Sequence, residues 1–323
     1  MDVTLPAGPP IEPPPAPVGY RELGVVAEDG RDVAVSCWYP ARTAEGPAVR
    51  YPVVPGVGLT AAAVADAAPA AGRFPTVVFS HGRTGTRRSY VMLLEALAAR
   101  GTVVLAPDHV GDRLEDWLGG TQVDDHTNGR RRVADVAAVL DAVPLVEGTG
   151  GGVVVAGHSY GGWTALATAA REPASVAGVV GLQPLVRGLS AERLGRVRVP
   201  VLLVGAAADT TTPPALDSLV GFEGLVHAPT RHVEVTGNGH QACSDVGLYA
   251  DLAGAHADVL PPGLGDLLEG MAAQVTGRSG DDWRPVVADQ LGLLAAFVAG
   301  VAAGGVPPRP AEGADRTILE RPG

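Results

Sequence analysis

The feature that most constrains the fold is the segment 153–162, where a strand pattern runs directly into Gly-His-Ser-Tyr-Gly-Gly and a helix pattern follows. In a G-x-S-x-G turn between a strand and a helix, the serine projects its hydroxyl from the edge of the sheet on a strained backbone. Here that serine is Ser159. Gly157 and Gly161 flank it because so tight a turn leaves no room for a Cβ atom. Three fixed positions alone occur often by chance, so the specificity comes from the flanking strand and helix.

Strand and helix patterns alternate along most of the chain, which predicts a single α/β domain. Strands separated by helices form a mostly parallel sheet that is covered on both faces. We therefore expect a central sheet of about eight strands flanked by helices. The predicted strands lie at 20–26, 33–39, 76–80, 102–106, 152–156, 176–182, 199–205 and 231–235, and the predicted helices at 90–100, 131–142, 160–170 and 282–301.

The domain is predicted to span residues 20–302. The proline-rich segment 1–19 and the tail 303–323 are predicted to be disordered. The Ala- and Pro-rich segment 40–73 is interpreted as a surface loop with a short helix at 60–67. The apolar residues of 244–280 favour a small helical insert, which we hypothesise covers part of the pocket beside Ser159.

Composition excludes several classes of function. The net charge of −11 argues against nucleic-acid binding and against an anionic membrane surface, which need a clustered positive field. All 24 basic residues are arginine, so a P-loop lysine and a lysine Schiff base are excluded. The basic run 130–132 opens a helix pattern and is interpreted as its solvated face. The acidic and histidine residues between 108 and 126 match no metal-ligand spacing, and neither a metal nor a cofactor is predicted.

Neither a signal peptide nor an apolar run of membrane-spanning length is visible in the sequence. The expectation is a cytoplasmic protein, with secretion left open if a leader is missing from the sequence. The oligomeric state is left undetermined.

Residues that could activate Ser159 follow the last two predicted strands. A serine hydroxyl needs a histidine within hydrogen-bond reach and an acid that orients the histidine. In this architecture the chain order is Ser, then Asp or Glu, then His, at the carboxyl ends of the strands. Asp209 is the only carboxylate directly after the strand 199–205, and His240 follows the strand 231–235 in a glycine-rich loop. The sequence therefore predicts a triad of Ser159, Asp209 and His240.

Two backbone N–H groups are predicted to stabilise the oxyanion of an acyl-transfer reaction. The strand-to-helix turn supplies the amide that follows the nucleophile, here that of Tyr160. The loop after the strand 76–80 supplies the second, assigned to the amide of Arg83. The predicted substrate pocket is formed by residues of this loop and of the turn, namely His81, Gly82, Thr84, His158 and Trp163.

These segments together resemble the α/β-hydrolase superfamily of serine hydrolases, and within it most closely the platelet-activating-factor acetylhydrolases and dienelactone-hydrolase-like esterases. The resemblance covers about residues 20–301. It rests on Phe-Ser-His-Gly at 79–82, Gly-His-Ser-Tyr-Gly-Gly at 157–162, Asp209, Gly239-His240, Cys-Trp-Tyr-Pro at 37–40 and Pro-Asp-His at 107–109. The absence of lysine and the excess of Ala, Gly, Pro and Val separately indicate a GC-rich coding bias, which is typical of bacteria.

The resemblance implies a serine ester hydrolase that acts on small-molecule esters of small to medium acyl chain through an acyl-enzyme. The hypothesised insert would limit the length of the acyl chain. Dienelactone hydrolases use a cysteine where this chain has Ser159, which argues against their substrate. Three alternatives use the same fold: a polyester hydrolase, indicated by Thr-Gly-Thr at 84–86; an acyltransferase or amidase; and a non-catalytic ligand-binding relative. The aromatic residue that polyester hydrolases carry after the sixth strand is replaced here by Gln183-Pro184.

Overall fold

A computed structural model describes residues 3–8, 10–54, 56–256, 264–278, 280–305, 308–310 and 315–322. Twelve strands in this part of the chain form one sheet. The strands are β1 (Val3–Pro6), β2 (Val18–Val26), β3 (Asp32–Pro40), β4 (Ala48–Val54), β5 (Val57–Ala65), β6 (Phe74–Ser80), β7 (Val103–Pro107), β8 (Thr149–His158), β9 (Gly178–Leu182), β10 (Val201–Ala206), β11 (Thr230–Val235) and β12 (Arg316–Arg321).

Nine α-helices connect and cover these strands within the described residues. They are α1 (Val91–Ala99), α2 (Leu114–Leu118), α3 (Asp125–Ala142), α4 (Tyr160–Arg171), α5 (Ala191–Leu194), α6 (Ser218–Gly224), α7 (Val246–Ala255), α8 (Leu264–Thr276) and α9 (Arg284–Ala302).

The strand order is β1-β5-β2-β3-β7-β6-β8-β9-β10-β11-β12, with β4 paired to the other side of β5. From β7 to β11 all neighbours run parallel, whereas β2, β3 and β7 pair antiparallel with one another in turn. The parallel strands carry runs of valine, leucine and alanine that are buried on both faces, as their central position requires. Their carboxyl ends meet at one edge, where reactive loops are expected.

Two layers of helices cover the sheet. Apolar side chains of α1 and α9 pack on one face, and those of α3 and α4 pack on the other. The helix α9 is also long and apolar enough to cross a membrane, alone among the helices of the described residues. Its Val287, Leu291 and Leu294 are buried in the core, so in this structure it packs as a core helix.

All eight predicted strands are present, as β2, β3 and β6 to β11, and the predicted fold class is confirmed. The number of strands was underestimated because β1, β4, β5 and β12 were not predicted. The helix predicted at 60–67 is wrong, since β5 covers most of that segment. The run of alanines at 61–63 favours a helix by intrinsic propensity, and pairing of β5 with β4 and β1 overrides that preference.

The two ends of the chain also depart from the expected disorder. Within 1–19, β1 pairs parallel with β5, and within 303–323, β12 pairs antiparallel with β11. An ion pair of 2.6 Å joins Arg231 to Glu320 across the second pair. Both segments add a strand to the sheet. Their pairing partners, β5 and β11, lie far away in the chain, so a local sequence pattern does not reveal that these segments form strands. Residues 1, 2, 9, 306–307, 311–314 and 323 of these segments lie outside the described residues.

The segment 244–280, expected to be a helical insert, contains α7 and α8. Residues 257–263 and 279 of this segment lie outside the described residues. In the chain the two helices lie between the His240 loop and α9. The insert therefore begins next to the edge of the sheet that carries the predicted triad.

Candidate active site

The turn that carries Ser159 is strained in the way the sequence predicts. Ser159 joins β8 to α4 with φ 54° and ψ −119°, a left-handed conformation that a non-glycine residue rarely adopts. A Cβ atom on Gly161 would lie 1.9 Å from the carbonyl oxygen of Ser80, and one on Gly157 would lie 2.3 Å from that of Gly161. The strand, the turn and the helix therefore pack backbone to backbone, which holds the serine at the edge of the sheet.

The structure brings the three predicted side chains together. His240 Nε2 lies 3.1 Å from Ser159 Oγ, and His240 Nδ1 lies 2.8 Å from Asp209 Oδ2. The carboxylate can only accept, so His240 carries its proton on Nδ1 and presents a lone pair on Nε2 to the serine hydroxyl. This is the tautomer that a general base requires.

Asp209 is held by donors that keep it ionised. Its Oδ1 accepts the backbone N–H groups of Thr211 and Thr212 at 2.8 and 2.9 Å, and the Thr212 hydroxyl donates to Oδ2 at 2.8 Å. Burial by itself would raise the pKa of Asp209, but the hydrogen bonds from His240 and Thr212 outweigh it and the pKa is lowered. Asp209 therefore stays charged and is placed to stabilise an imidazolium at His240.

The loop of His240 is fixed by its backbone on both sides. The N–H groups of Gly239 and Gln241 donate to the carbonyls of Val275 and Gln274 in α8, at 3.1 and 2.8 Å. A Cβ atom on Gly239 would lie 2.2 Å from the Gln274 carbonyl oxygen, so only glycine allows this approach. The predicted insert therefore contributes directly to the position of His240.

His158 links the same loop to the opposite side of the site. Its Nε2 lies 2.7 Å from the carbonyl oxygen of His240, so this nitrogen carries the proton. Its Nδ1 must then accept from the Tyr90 hydroxyl at 2.8 Å, and the Tyr90 oxygen accepts the N–H of Gly82 at 3.0 Å. Burial and the neighbouring His240 lower the pKa of His158 to about 3, which keeps the ring neutral.

The two predicted oxyanion donors lie on either side of Ser159. The amide of Tyr160 is the first N–H of α4, and the loop of Arg83 approaches so closely that a Cβ atom on Gly82 would lie 3.3 Å from Ser159 Cβ. In the described part of the chain neither amide has a hydrogen-bond partner. Both are thus available to a ligand, and their role stays a prediction.

Ser159 and His240 border a cavity of about 700 Å³, which is large enough for a small-molecule substrate. Of the predicted pocket residues, Gly82, Thr84 and His158 line it. One wall is apolar and comes largely from α7 and α8. The residues of that wall are Val246, Tyr249, Leu252, Leu268 and Met271. Among the described residues, the rest of the lining includes five arginines, at positions 50, 83, 87, 88 and 113, and two carboxylates, Asp108 and Glu115.

Two predicted pocket residues lie elsewhere. His81 is fully buried under the loop, where its Nδ1 bonds the Gly82 carbonyl at 2.7 Å and its Nε2 accepts the His109 N–H at 3.2 Å. Trp163 lies on the side of α4 that faces Gly129 of α3 and lines a second cavity of about 590 Å³. The side chain of Tyr160 lines this second cavity as well. The sequence predicted correctly that these residues lie near Ser159 in the chain or in the fold. It did not predict the direction in which their side chains point.

A second Ser-His-Asp arrangement lies below the loop and was not predicted. Ser80 Oγ is 2.8 Å from His109 Nε2, and His109 Nδ1 is 2.9 Å from Asp135 Oδ2. These distances match those around Ser159, yet all three side chains are at most 1 % exposed. No substrate can reach Ser80, so access to a cavity distinguishes the two arrangements. Among the described residues, no group of three or more His, Cys, Asp or Glu side chains is placed to hold a metal ion.

The basic run 130–132 was wrongly interpreted as a solvated face at one position. Arg132 is 0 % exposed, and its guanidinium bonds Asp112 at 2.6 Å and the His81 carbonyl at 2.8 Å. Arg130 is exposed as expected. A buried arginine is found almost only with a charged partner, and Asp112 lies twenty residues earlier in a segment with no helical or strand pattern.

Two comparisons with known proteins agree with this architecture. A family model described as serine aminopeptidase, S33, matches residues 73–192, which include the loop of Arg83 and the turn of Ser159. A solved structure of a ferulic acid esterase from Streptomyces cinnamoneus aligns with a TM-score of 0.72 at 23 % identity, over 98 % of this chain and 99 % of that chain. The chain has the α/β-hydrolase fold, as expected. The finer resemblance to platelet-activating-factor acetylhydrolases stays a prediction.

Proposed function

We propose that the protein is a carboxylic ester hydrolase that uses Ser159 as its nucleophile. The observation that carries the proposal is the 3.1 Å approach of His240 Nε2 to Ser159 Oγ at the border of a 700 Å³ cavity, with Asp209 behind the histidine. The structural similarity to a ferulic acid esterase over nearly the whole of both chains supports it.

The reaction follows from the positions of these groups. His240 Nε2 takes the proton of Ser159 while Oγ attacks the ester carbonyl, and the amides of Tyr160 and Arg83 bind the resulting oxyanion. The imidazolium, stabilised by Asp209, then protonates the departing alkoxide, which leaves as an alcohol. Water activated by His240 attacks the acyl-enzyme, the serine recovers its proton, and a carboxylic acid is released.

The cavity favours a substrate with a small to medium apolar acyl group. The wall formed by α7 and α8 offers apolar side chains next to the site, and burial of each methylene contributes about 0.8 kcal/mol. We therefore infer that the acyl chain lies along this wall, which makes the two helices the determinant of its length.

Cleavage of peptides from a free amino terminus is the second candidate, because the matching family model is described as serine aminopeptidase. Such a substrate brings an α-ammonium group that needs an unpaired carboxylate. The two carboxylates that the described part of the chain places in the cavity already pair with arginines, Asp108 with Arg87 and Glu115 with Arg113. Five arginines against two carboxylates also repel a cation. The lining therefore favours neutral or anionic esters.

The test is hydrolysis of a panel of p-nitrophenyl esters from acetate to decanoate, with an amino-acid p-nitroanilide for the second candidate. We expect ester turnover that is lost in S159A, and covalent labelling of Ser159 by a fluorophosphonate. The matched control is S175A, since Ser175 is exposed in a turn after α4. Turnover that survives in S159A, or a wild-type protein that neither hydrolyses nor is labelled, would refute the proposal. Preference for the anilide would instead favour the aminopeptidase.

A further inference from the structure

The loop of Arg83 has one backbone N–H without a partner. Of the seven N–H groups from Gly82 to Arg88, all within the described residues, six donate hydrogen bonds and that of Arg83 does not. The six acceptors are Tyr90 Oη for Gly82, the Asp112 carbonyl for Thr84, the Gly82 carbonyl for Gly85, Ser89 Oγ for Thr86, Asp108 Oδ1 for Arg87 and Thr86 Oγ1 for Arg88. This pairing leaves the Arg83 N–H as the single backbone donor of residues 82–88 that a ligand can use.

The carbonyl groups of His81 and Gly82, which precede this N–H in the chain, both accept hydrogen bonds from Arg132. Its Nη1 donates to the His81 carbonyl at 2.8 Å, and its Nη2 donates to the Gly82 carbonyl at 3.2 Å. Asp112 holds the guanidinium in place through Nε and Nη2, at 3.0 and 2.6 Å. Arg132 and Asp112 are both almost completely buried, so this fork cannot swing into solvent.

The Gly82 carbonyl sets the direction of the Arg83 amide, since both belong to one peptide unit. That carbonyl accepts from His81 Nδ1 at 2.7 Å and from the Gly85 N–H at 3.1 Å, besides Arg132. In a planar trans peptide the C=O and N–H bonds point in opposite directions. Because the Gly82 carbonyl points toward its donors, which include Arg132, the Arg83 N–H points away from Arg132.

The preceding peptide unit is fixed in the same way, by one bond to its carbonyl and one from its N–H. Its carbonyl, that of His81, faces Arg132, and its N–H, that of Gly82, donates to Tyr90 Oη at 3.0 Å. On the other side of Arg83, Thr84 has a left-handed backbone at φ 59°, and its N–H donates to the Asp112 carbonyl. The peptide planes on both sides of Gly82 are therefore defined without any substrate present.

We propose that Arg132 is a positioning residue of the oxyanion hole, which presets the Arg83 amide through the Gly82 and His81 carbonyls. The proposal rests on the proposed function, since it assigns a role in that same reaction. The positive charge of the Arg132 guanidinium next to the Gly82 carbonyl also polarises this peptide group. The polarisation makes the Arg83 N–H a stronger hydrogen-bond donor. Tyr90 is the second positioning residue, acting on the other peptide of Gly82.

The experiment compares R132K with wild type. Lysine keeps the charge near Asp112 but has one ammonium group, which cannot bond both carbonyls in the geometry of a guanidinium fork. Three quantities are measured: kcat and KM on a p-nitrophenyl ester, and Ki for an alkyl trifluoromethyl ketone. The ketone adds to Ser159 as a hemiketal whose oxygen occupies the oxyanion hole, so its Ki reports on the donors directly.

We expect kcat to fall and Ki to rise by a similar factor while KM stays within about two-fold. Complete loss of one oxyanion donor costs about 10²–10³ in rate, which sets the upper limit for R132K. The matched control is R196K, whose arginine is exposed and pairs with Glu192 on the surface, and which should keep both constants. A purely structural role would lower the active fraction, measured by fluorophosphonate titration, and leave the kcat per labelled site and Ki unchanged.

Y90F provides a test that does not depend on folding of R132K. It removes one buried hydroxyl while the ring keeps its packing against Phe79. The same paired change in kcat and Ki is expected, in a smaller amount. Wild-type kcat and Ki per labelled site in Y90F, with R132K either normal or unfolded, would overturn the proposal. A wild-type protein without ester turnover would instead overturn the proposed function, so the two failures are distinguishable.

Discussion

Replacement of Asp209 by asparagine separates the orienting role of this residue from its role in stability. In D209N, one side-chain oxygen can still accept the Thr211 and Thr212 N–H groups, which lie 2.8 and 2.9 Å from Oδ1. The opposite orientation would set an NH2 group against these two donors. The structure therefore dictates that the amide nitrogen of the asparagine faces His240.

That orientation inverts the tautomer of His240. The asparagine NH2 donates to Nδ1, so the imidazole proton moves to Nε2 and points at Ser159 Oγ, where a base is needed. In serine proteases with the same three roles, this change lowers kcat about 10⁴-fold, which is about 5.4 kcal/mol at 1.36 kcal/mol per factor of ten. Stability should fall by about 1–2 kcal/mol, because the bonds from Thr211, Thr212 and to His240 become neutral ones, and the Thr212 hydroxyl, which loses Oδ2, still donates to the Gln183 carbonyl at 2.9 Å.

The assay is kcat on a short p-nitrophenyl ester, together with urea unfolding of the same samples. D217N is the matched control: Asp217 also accepts two backbone N–H groups, those of Val186 and Arg187, but it lies outside the triad. It should lose stability and keep kcat. If D209N retained more than a tenth of the wild-type kcat, the assignment of Asp209 as the orienting acid would be refuted.

Three further outcomes are expected. G161A should lose at least about 2–3 kcal/mol of stability in urea unfolding, since its Cβ would meet the Ser80 backbone at 1.9 Å, whereas G292A, with open space around it, should gain about 0.5–1 kcal/mol. Burial raises the pKa of Glu95 to about 7 from its ordinary 4.5, so the protonated form is favoured in the folded state and stability is lost as the pH rises. Between pH 5 and 8 this loss is about 2–3 kcal/mol, and E95Q should remove it from the pH profile of unfolding. L252A should shift kcat/KM toward longer acyl chains by about four-fold per added methylene, and an unchanged ester profile would contradict the role of the α7 and α8 wall.

The sequence predicted the central strands and the triad because both depend on local patterns joined by one topological rule. Buried parallel strands are continuous apolar runs, and the residues after them share one edge of the sheet. Asp209 and His240 could be selected because each is the first suitable group after its strand. The insert was also visible as a long apolar segment, although its backbone contacts with Gly239 were not.

What the sequence by itself determined is the strained serine between a strand and a helix, and the order of its partners along the chain. Tertiary structure decided which arginine of 130–132 is buried, because burial of a guanidinium depends on Asp112 and on carbonyls of residues about fifty positions earlier. It also decided that Ser80 is enclosed whereas Ser159 borders a cavity, and that β1 and β12 complete the sheet. Each of these outcomes rests on contacts between distant segments, whose free energy no local pattern contains.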